Sequence, residues 1–408
     1  CPKCGVVCLS REDLPLKLPE DVVFDGKGNP LDNHPTWKHV KCPKCGSDAT
    51  RETDTMDTFV DSSWYFLRFV DLCDDKTINK ELCDEVMPID QYIGGIEHAT
   101  GHLMYARFFT KAMRDCGYLN IDEPVKKLFN QGLLCHNAYR GKITKDWCYP
   151  KDLKKENGKF YNTTTGEELS YEGNIKMSKS KSNVIGIDGV AANYGTDSAR
   201  LFLLSDTPAD KDMEWSDEGI NGCWRYINKI YKVIVNFRNK YDVKYDNPNN
   251  YVNDTIRYTH KVIKDVTENF EKIEFNKAIA RIRELSNFFE KTTLDTQENI
   301  ESYAFAIANY LKLLNPFTPH FCSEMLEILS IKDITWPSFD ENLTVDDVVV
   351  IAIQVNGKLR ETIEVVKDLS NGEIEARAKV EKSVVKYLDG HEIKRVVVVP
   401  NKLVNFVL

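Results

Sequence analysis

The sequence predicts a multidomain chain that is mixed α/β in its first half, all-α in the middle and α+β at its end. Three observations predict this. Its 408 residues exceed what one ordinary core holds. The apolar period becomes helical from Ser216 and alternates again after Pro337. The opening segment lacks apolar periodicity and carries two copies of Cys-Pro-Lys-Cys-Gly.

Residues 1–50 read as a loop-rich module. From 51 to 213 the patterning is mixed. Apolar runs at Trp64–Phe69 and Tyr92–Gly95 suit buried elements. His102–Gly117 reads as a helix with Leu103, Phe109 and Met113 inward, and Lys127–Leu134 as a strand. Gly, Asn, Thr and Lys dominate 136–175, which predicts an insertion or hairpin excursion outside the core. Residues 214–340 read as a helical bundle. Ser216 caps its first helix, with Asp217 and Glu218 in the first turn. Ile220, Trp224, Ile227, Tyr231, Ile234 and Phe237 form the predicted buried stripe. Further helices are expected at Thr255–Phe270, at Phe275–Phe289, ending at Leu314, and at Cys322–Leu329. In the tail, 345–408, strands Val348–Val355 and Thr362–Val366 flank an Asn356-Gly357 turn. A helix at Gly372–Leu388 and strands at Arg395–Val399 and Val404–Val407 complete it.

Composition excludes some classes. No apolar run reaches the roughly 18 residues of a membrane span, so no membrane role is expected. A net charge of −9 leaves RNA contact to local patches on an acidic body. The chain has 12 cysteines but no export signal, which fits reduced thiols and a cytoplasmic setting. It begins Cys1-Pro2-Lys3-Cys4, without methionine, so a preceding segment is expected.

Two motifs carry chemistry. Cys1, Cys4, Cys42 and Cys45 lie in CxxCG knuckles, whose four thiolates suit a closed, structural Zn²⁺ site. Inert CxxC turns without metal, or a disulfide in each, are the alternatives. Lys176-Met177-Ser178-Lys179-Ser180 sets two flexible ammonium groups among hydroxyls, an arrangement suited to a polyphosphate whose charge moves during reaction. A solvated basic turn is the other reading.

The lysine run resembles the signature loop of class I aminoacyl-tRNA synthetases. The run Arg51–Tyr65, the segment Tyr92–His98 and His102–Phe109 narrow the resemblance to bacterial-type leucyl-tRNA synthetases. It continues through Tyr194–Leu201, Glu214–Gly219, Leu314–His320 and Gln354–Arg360, collinear over nearly the whole chain.

The resemblance implies a zinc-ribbon-like module, the second half of a class I Rossmann catalytic domain, a helical anticodon-binding-type bundle and a small α+β tRNA-binding domain. It implies ATP, Mg²⁺, leucine and tRNA(Leu) as substrates and partners, and a monomer. Lys176, Ser178, Lys179 and Ser180 would be catalytic. Gly94, Gly95, Glu97, Met177 and Lys179 would bind ATP, and Phe59, Ser62 and His98 would line the leucine pocket. Lys277, Arg281 and Arg283 in the bundle, and Lys358, Arg360, Lys394 and Arg395 in the tail, are the tRNA candidates. The family's HIGH signature is absent from the sequence. Its HIGH-bearing half and editing domain are expected before Cys1, leaving the isolated chain inactive. The alternative is a non-catalytic tRNA-binding fragment or paralogue.

Overall fold

The computed structural model describes residues 1–26, 28–71, 76–246, 248, 251–344 and 348–408. Cys73 and the start expected for the last domain, at 345, lie outside them. Cys1–Asn130 form one compact unit and Gln131–Leu408 a second.

In the first unit β1 (His39–Lys41) and β2 (Asp48–Thr50) pair antiparallel, so that their turn presents Cys42 and Cys45. Short helices α1 (Phe59–Ser62) and α2 (Tyr65–Arg68) follow. Then comes α3 (Lys80–Val86), capped by Asn79 Oδ1, which accepts from Leu82 N at 3.2 Å. Next are β3 (Tyr92–Gly95), α4 (His102–Asp115) and β4 (Leu128–Gln131). Phe66, Leu67, Ile78, Cys83, Met87, Ala106 and Leu119 are the core. Helix α4 buries Ala106 and Thr110 completely, while the expected Leu103, Phe109 and Met113 are half-buried.

The second unit opens with β5 (Leu134–Gly141), β6 (Trp147–Cys148), β7 (Leu153–Glu156), β8 (Lys159–Asn162) and β9 (Glu168–Lys176). Helices α5 (Ile187–Tyr194) and α6 (Thr196–Ser205) lead to β10 (Met213–Glu214). Strand β5 is central: β10 is parallel to it, and β6 and β9 are antiparallel. The predicted strand Lys127–Leu134 is thus two strands parted at Gly132. There a Cβ would collide with the Lys211 and Asp212 backbone, so only glycine fits. The stretch 136–175, expected as an insertion or hairpin excursion outside the core, is antiparallel sheet that buries Ala138, Cys148 and Leu169 within itself. Backbone pairing does not need apolar alternation. The Tyr139 ring lies 4.6 Å from Phe160 and 5.4 Å from Tyr171, supplying the packing.

The bundle comprises α7 (Asp217–Lys240), α8 (Asp254–Glu271), α9 (Phe275–Phe289), α10 (Gln297–Leu314), α11 (Pro319–Ile328) and the short α12 (Glu341–Thr344). Ser216 Oγ caps α7 by accepting from Gly219 N at 3.0 Å. The buried stripe of α7 runs Ile220, Cys223, Ile230, Ile234 and Phe237, with Ile227 half-buried. Trp224 and Tyr231, expected in it, are 41% and 44% exposed. Both sets satisfy helical spacing, and the all-apolar one wins the core because indole and phenol keep a polar edge near water. Helix α9 buries Ile279, Ile282, Leu285 and Phe289 as predicted. Helix α10 is buried almost all round from Ser302 to Leu314, which makes it the centre of the bundle.

In the tail, β11 (Val348–Val355) and β12 (Lys358–Val366) form a hairpin. Asn356 and Gly357 turn it at φ +50° and +76°, as an Asn-Gly turn requires. The single helix expected at 372–388 is two, α13 (Asn371–Val380) and α14 (Lys382–Leu388), broken at the extended Glu381. Strands β13 (Arg395–Val399) and β14 (Leu403–Val407) complete a sheet of order β12-β11-β14-β13. Ile351, Ile353, Val404 and Phe406 are fully buried beneath α13 and α14, with Ile374 and Val384.

Candidate functional site

The four expected thiol ligands converge. The Sγ atoms of Cys1, Cys4, Cys42 and Cys45 all lie within 4.8 Å of one another, and Cys1 Sγ is 3.6 Å from Cys45 Sγ. Each knuckle closes through a glycine at positive φ, Gly5 at +71° and Gly46 at +69°. Their amides donate to Cys1 O (2.9 Å) and Cys42 O (2.8 Å). A tetrahedral zinc with Zn–S of about 2.3 Å needs sulfurs about 3.8 Å apart, so the donor set fits that ion.

A chain of polar side chains joins α1, α2, β3 and α4. Tyr65 and Tyr92 hydroxyls are 2.6 Å apart. Tyr92 Oη is 2.9 Å from His102 Nε2, and His102 Nδ1 is 3.1 Å from Ser62 Oγ. Ser62 Oγ in turn donates to Phe59 O at 3.1 Å. With the Ser62 hydrogen on a carbonyl, His102 Nδ1 donates to Ser62, and in a neutral ring Nε2 then accepts from Tyr92. That order requires a neutral imidazole. Burial, aided by the charge of neighbouring His98, lowers the pKa of His102 and favours this state. Burial, then the bond to Tyr65, raises that of Tyr92 and keeps its proton on.

Phe59 and Ser62 belong to this cluster. The Phe59 ring reaches within 2.9 Å of where a Cβ at residue 101 would stand, which explains Gly101. His98 is exposed and lies edge-on to His102, ring centres 6.4 Å apart. A Cβ on Gly95 would collide with the Glu97 carboxylate, so glycine lets that group fold back on the backbone. Tyr65, Tyr92 and His102 were not singled out from the sequence. The available signal was a histidine opening a helix, beside tyrosines in otherwise apolar runs.

The lysine loop lies in the second unit. Strand β9 ends at Lys176, and Met177 N donates to Leu134 O at 2.9 Å, so the loop leaves directly from the central sheet. Ser178 and Ser180 hydroxyls are 3.1 Å apart. Lys179–Lys181 form one 3-10 turn closed by Ser182 at φ +50°. Lys176 and Lys179 are both exposed, while Met177 packs at the edge of the bundle core.

The tRNA candidates divide. Lys277 pairs with Glu274 at 2.6 Å and Arg281 with Glu284 at 2.5 Å, on an exposed face. Arg283 packs inward instead. Its guanidinium lies 5.0 Å from the Tyr226 ring centre and donates to Cys223 Sγ at 3.3 Å, which removes it from the surface set. Arg360 stacks 4.0 Å over Tyr387. Lys358 and the pair Lys394 and Arg395 lie at the same end of the tail sheet, on its two opposite edges, because Val355 pairs with Phe406 and Arg395 with Val407.

A family model described as the anticodon-binding domain of tRNA ligase matches residues 253–376. Another, tRNA synthetases class I (I, L, M and V), matches residues 164–216. A leucine–tRNA ligase of Rhodospirillum rubrum is 43% identical over 420 residues, covering 100% of this chain and 48% of its own length. One of Zymomonas mobilis is 42% identical over 411 residues, with 100% and 47% covered. The crystal structure of the ternary complex of Agrobacterium radiobacter K84 agnB2 LeuRS-tRNA-LeuAMS superposes with a TM-score of 0.74 at 31% identity, covering 100% of this chain and 48% of that one. The chain spans about half the length of the curated relatives it matches. Collinear identity from end to end, rather than any single motif, makes the chain similar over its whole length to one half of leucine–tRNA ligases, and over 164–216 to class I tRNA synthetases.

Proposed function

We propose that this chain supplies the phosphate-handling loop and part of the leucine pocket of a leucine–tRNA ligase. Leucine carboxylate attacks the α-phosphate of ATP, pyrophosphate leaves, and the leucyl group passes from the adenylate to tRNA(Leu). The observation that carries this reading is the exposed Lys176–Ser180 loop rooted in the central sheet of a chain with this ancestry.

During the attack, negative charge grows on the phosphate oxygens. Lys176 and Lys179 are flexible and exposed, so their ammonium groups can follow that charge and bind the transition state better than ground-state ATP. Mg²⁺, when bound, neutralises further phosphate charge. Met177 anchors the loop, and the Ser178 and Ser180 hydroxyls line it. Gly94, Gly95 and Glu97 accommodate the nucleoside end of ATP. Phe59, Ser62 and His98, with Tyr65, Tyr92 and His102 behind them, form the leucine-side surface.

The same reading sets the domain limits: zinc module at 1–50, second catalytic half at 51–213, helical domain at 214–340 and tail at 345–408. Structural Zn²⁺ on Cys1, Cys4, Cys42 and Cys45 holds the first of these together. Lys277, Arg281, Lys358, Arg360, Lys394 and Arg395 contact tRNA backbone, and the enzyme works as a cytoplasmic monomer. No helix among the described residues is long and apolar enough to cross a membrane.

The test is exchange of labelled pyrophosphate into ATP by the reconstituted full-length enzyme. Exchange should depend on leucine and not on valine, isoleucine or methionine. Exchange that another amino acid drives equally well overturns the leucine assignment. Failure of exchange alongside retained tRNA binding favours the non-catalytic alternative.

A further inference from the structure

Asn183 lies just beyond the lysine loop, is 1% exposed and takes no part in the roles above. Its side chain works at both ends. Oδ1 accepts from Ser178 N at 2.9 Å. Nδ2 lies 3.2 Å from His136 O, 3.2 Å from Ile175 O and 3.3 Å from Lys176 O. Its own carbonyl accepts from His136 Nδ1 at 3.2 Å. These contacts bracket the loop, since Ile175 and Lys176 are the end of β9, Ser178 starts the turn, and His136 belongs to β5.

The chemistry required is specific. One buried group must accept from an amide and donate toward several carbonyls while staying neutral. A primary amide of this reach does so. A carboxylate would turn an oxygen toward the three carbonyl oxygens, and alanine would take the acceptor from Ser178 N and the donor from all three carbonyls. By contrast, the turn outside this bracket rests on local bonds, Lys181 N to Ser178 O and Ser182 N to Lys179 O, both 3.2 Å. The loop therefore has a pinned root and a lightly held tip.

We propose that Asn183 is a positioning residue for adenylate formation. It fixes the backbone from which Lys176 and Lys179 reach the transferring phosphates, and acts through that backbone without touching ATP. This rests on the phosphate-handling reading of the loop. A root displaced by about 1 Å moves both ammonium groups relative to the reacting phosphorus, and such displacements cost rate on the order of 100-fold.

The experiment compares Asn183→Ala, Asn183→Asp and Lys179→Ala in the reconstituted full-length enzyme. Single-turnover adenylate formation, leucine KM, transfer from preformed adenylate to tRNA, and melting temperature are measured for each. Asn183→Ala should slow adenylate formation roughly 10- to 100-fold, with leucine KM and the transfer rate within about 2-fold of the parent. Asn183→Asp should be at least as slow, although it keeps an acceptor for Ser178. Asn183→Ser, smaller and with one hydroxyl, is judged by the same criteria if Asn183→Ala does not fold. Unchanged adenylate formation overturns the proposal. So does an equal loss of activation and transfer together with a lower melting temperature, which marks a merely structural residue. If Lys179→Ala also leaves activation unchanged, the reading of the loop itself fails rather than the role of Asn183.

Discussion

His102 is one of four hydrogen-bonded side chains, between Tyr92 and Ser62, so its proton state matters beyond its own ring. Its pKa in the fold is below the ordinary histidine value of 6.5, through burial and then the charge of His98. Above pH 6.5 both folded and unfolded chains carry a neutral imidazole, and the contribution to stability is complete. As pH falls below that value the unfolded chain takes up a proton that the fold resists, and stability declines until the folded pKa is passed. The prediction is that part of the loss of stability on acidification begins near pH 6.5 and disappears in His102→Gln, as read from thermal melts across pH. In the full-length enzyme, His102→Ala should raise the leucine KM roughly 3- to 10-fold, since each lost hydrogen bond is worth about 0.5–1.5 kcal/mol. A KM unchanged in His102→Ala would remove this chain from the leucine pocket. Phe59, Ser62 and His98 were singled out because their two segments carry a recognisable pattern. His102 was not, because its importance comes from partners 10 and 40 residues away.

Elements were legible where the apolar period was unambiguous. Helix α9 and the Asn356-Gly357 hairpin stand where the pattern puts them, since a buried stripe and a left-handed turn are each dictated locally. Helix α7 was legible in place and largely in facing: Ile220, Ile234 and Phe237 are buried as expected, and only at Trp224 and Tyr231 does packing choose the preceding residues Cys223 and Ile230 instead. Within 136–175 a hairpin excursion was legible but its individual strands were not, because half-exposed strands built on backbone bonds and aromatic contacts leave no alternation to read. The cysteine knuckles were legible as a pair, since CxxCG dictates its own turn. Their meeting yields a prediction at this scale. Purified chain should hold about one Zn²⁺ per molecule by elemental analysis, as a closed four-thiolate site does, and Cys4→Ser should lower both zinc content and the melting temperature. Absence of stoichiometric zinc would contradict the structural site. Gly46→Ala should destabilise the knuckle by about 1 kcal/mol or more, because φ +69° strains any residue with a Cβ.

For the whole molecule, an acidic body carries its basic groups in local sets. The tail gathers Lys358, Lys394 and Arg395 at one end of a sheet with its own core, so RNA contact there can be removed without disturbing the bundle. Deleting residues after about 345 in the full-length enzyme should weaken tRNA binding, and more so at low salt, while leucine-dependent pyrophosphate exchange continues. Loss of both would mean that the tail supports folding instead. Whether the lysine loop acts on the transition state for leucine activation is read by single-turnover adenylate formation in Lys179→Ala at varied ATP. The rate constant should fall at least roughly 100-fold with the ATP KM changed only a few-fold. A raised ATP KM with an unchanged rate constant would contradict action on the transition state.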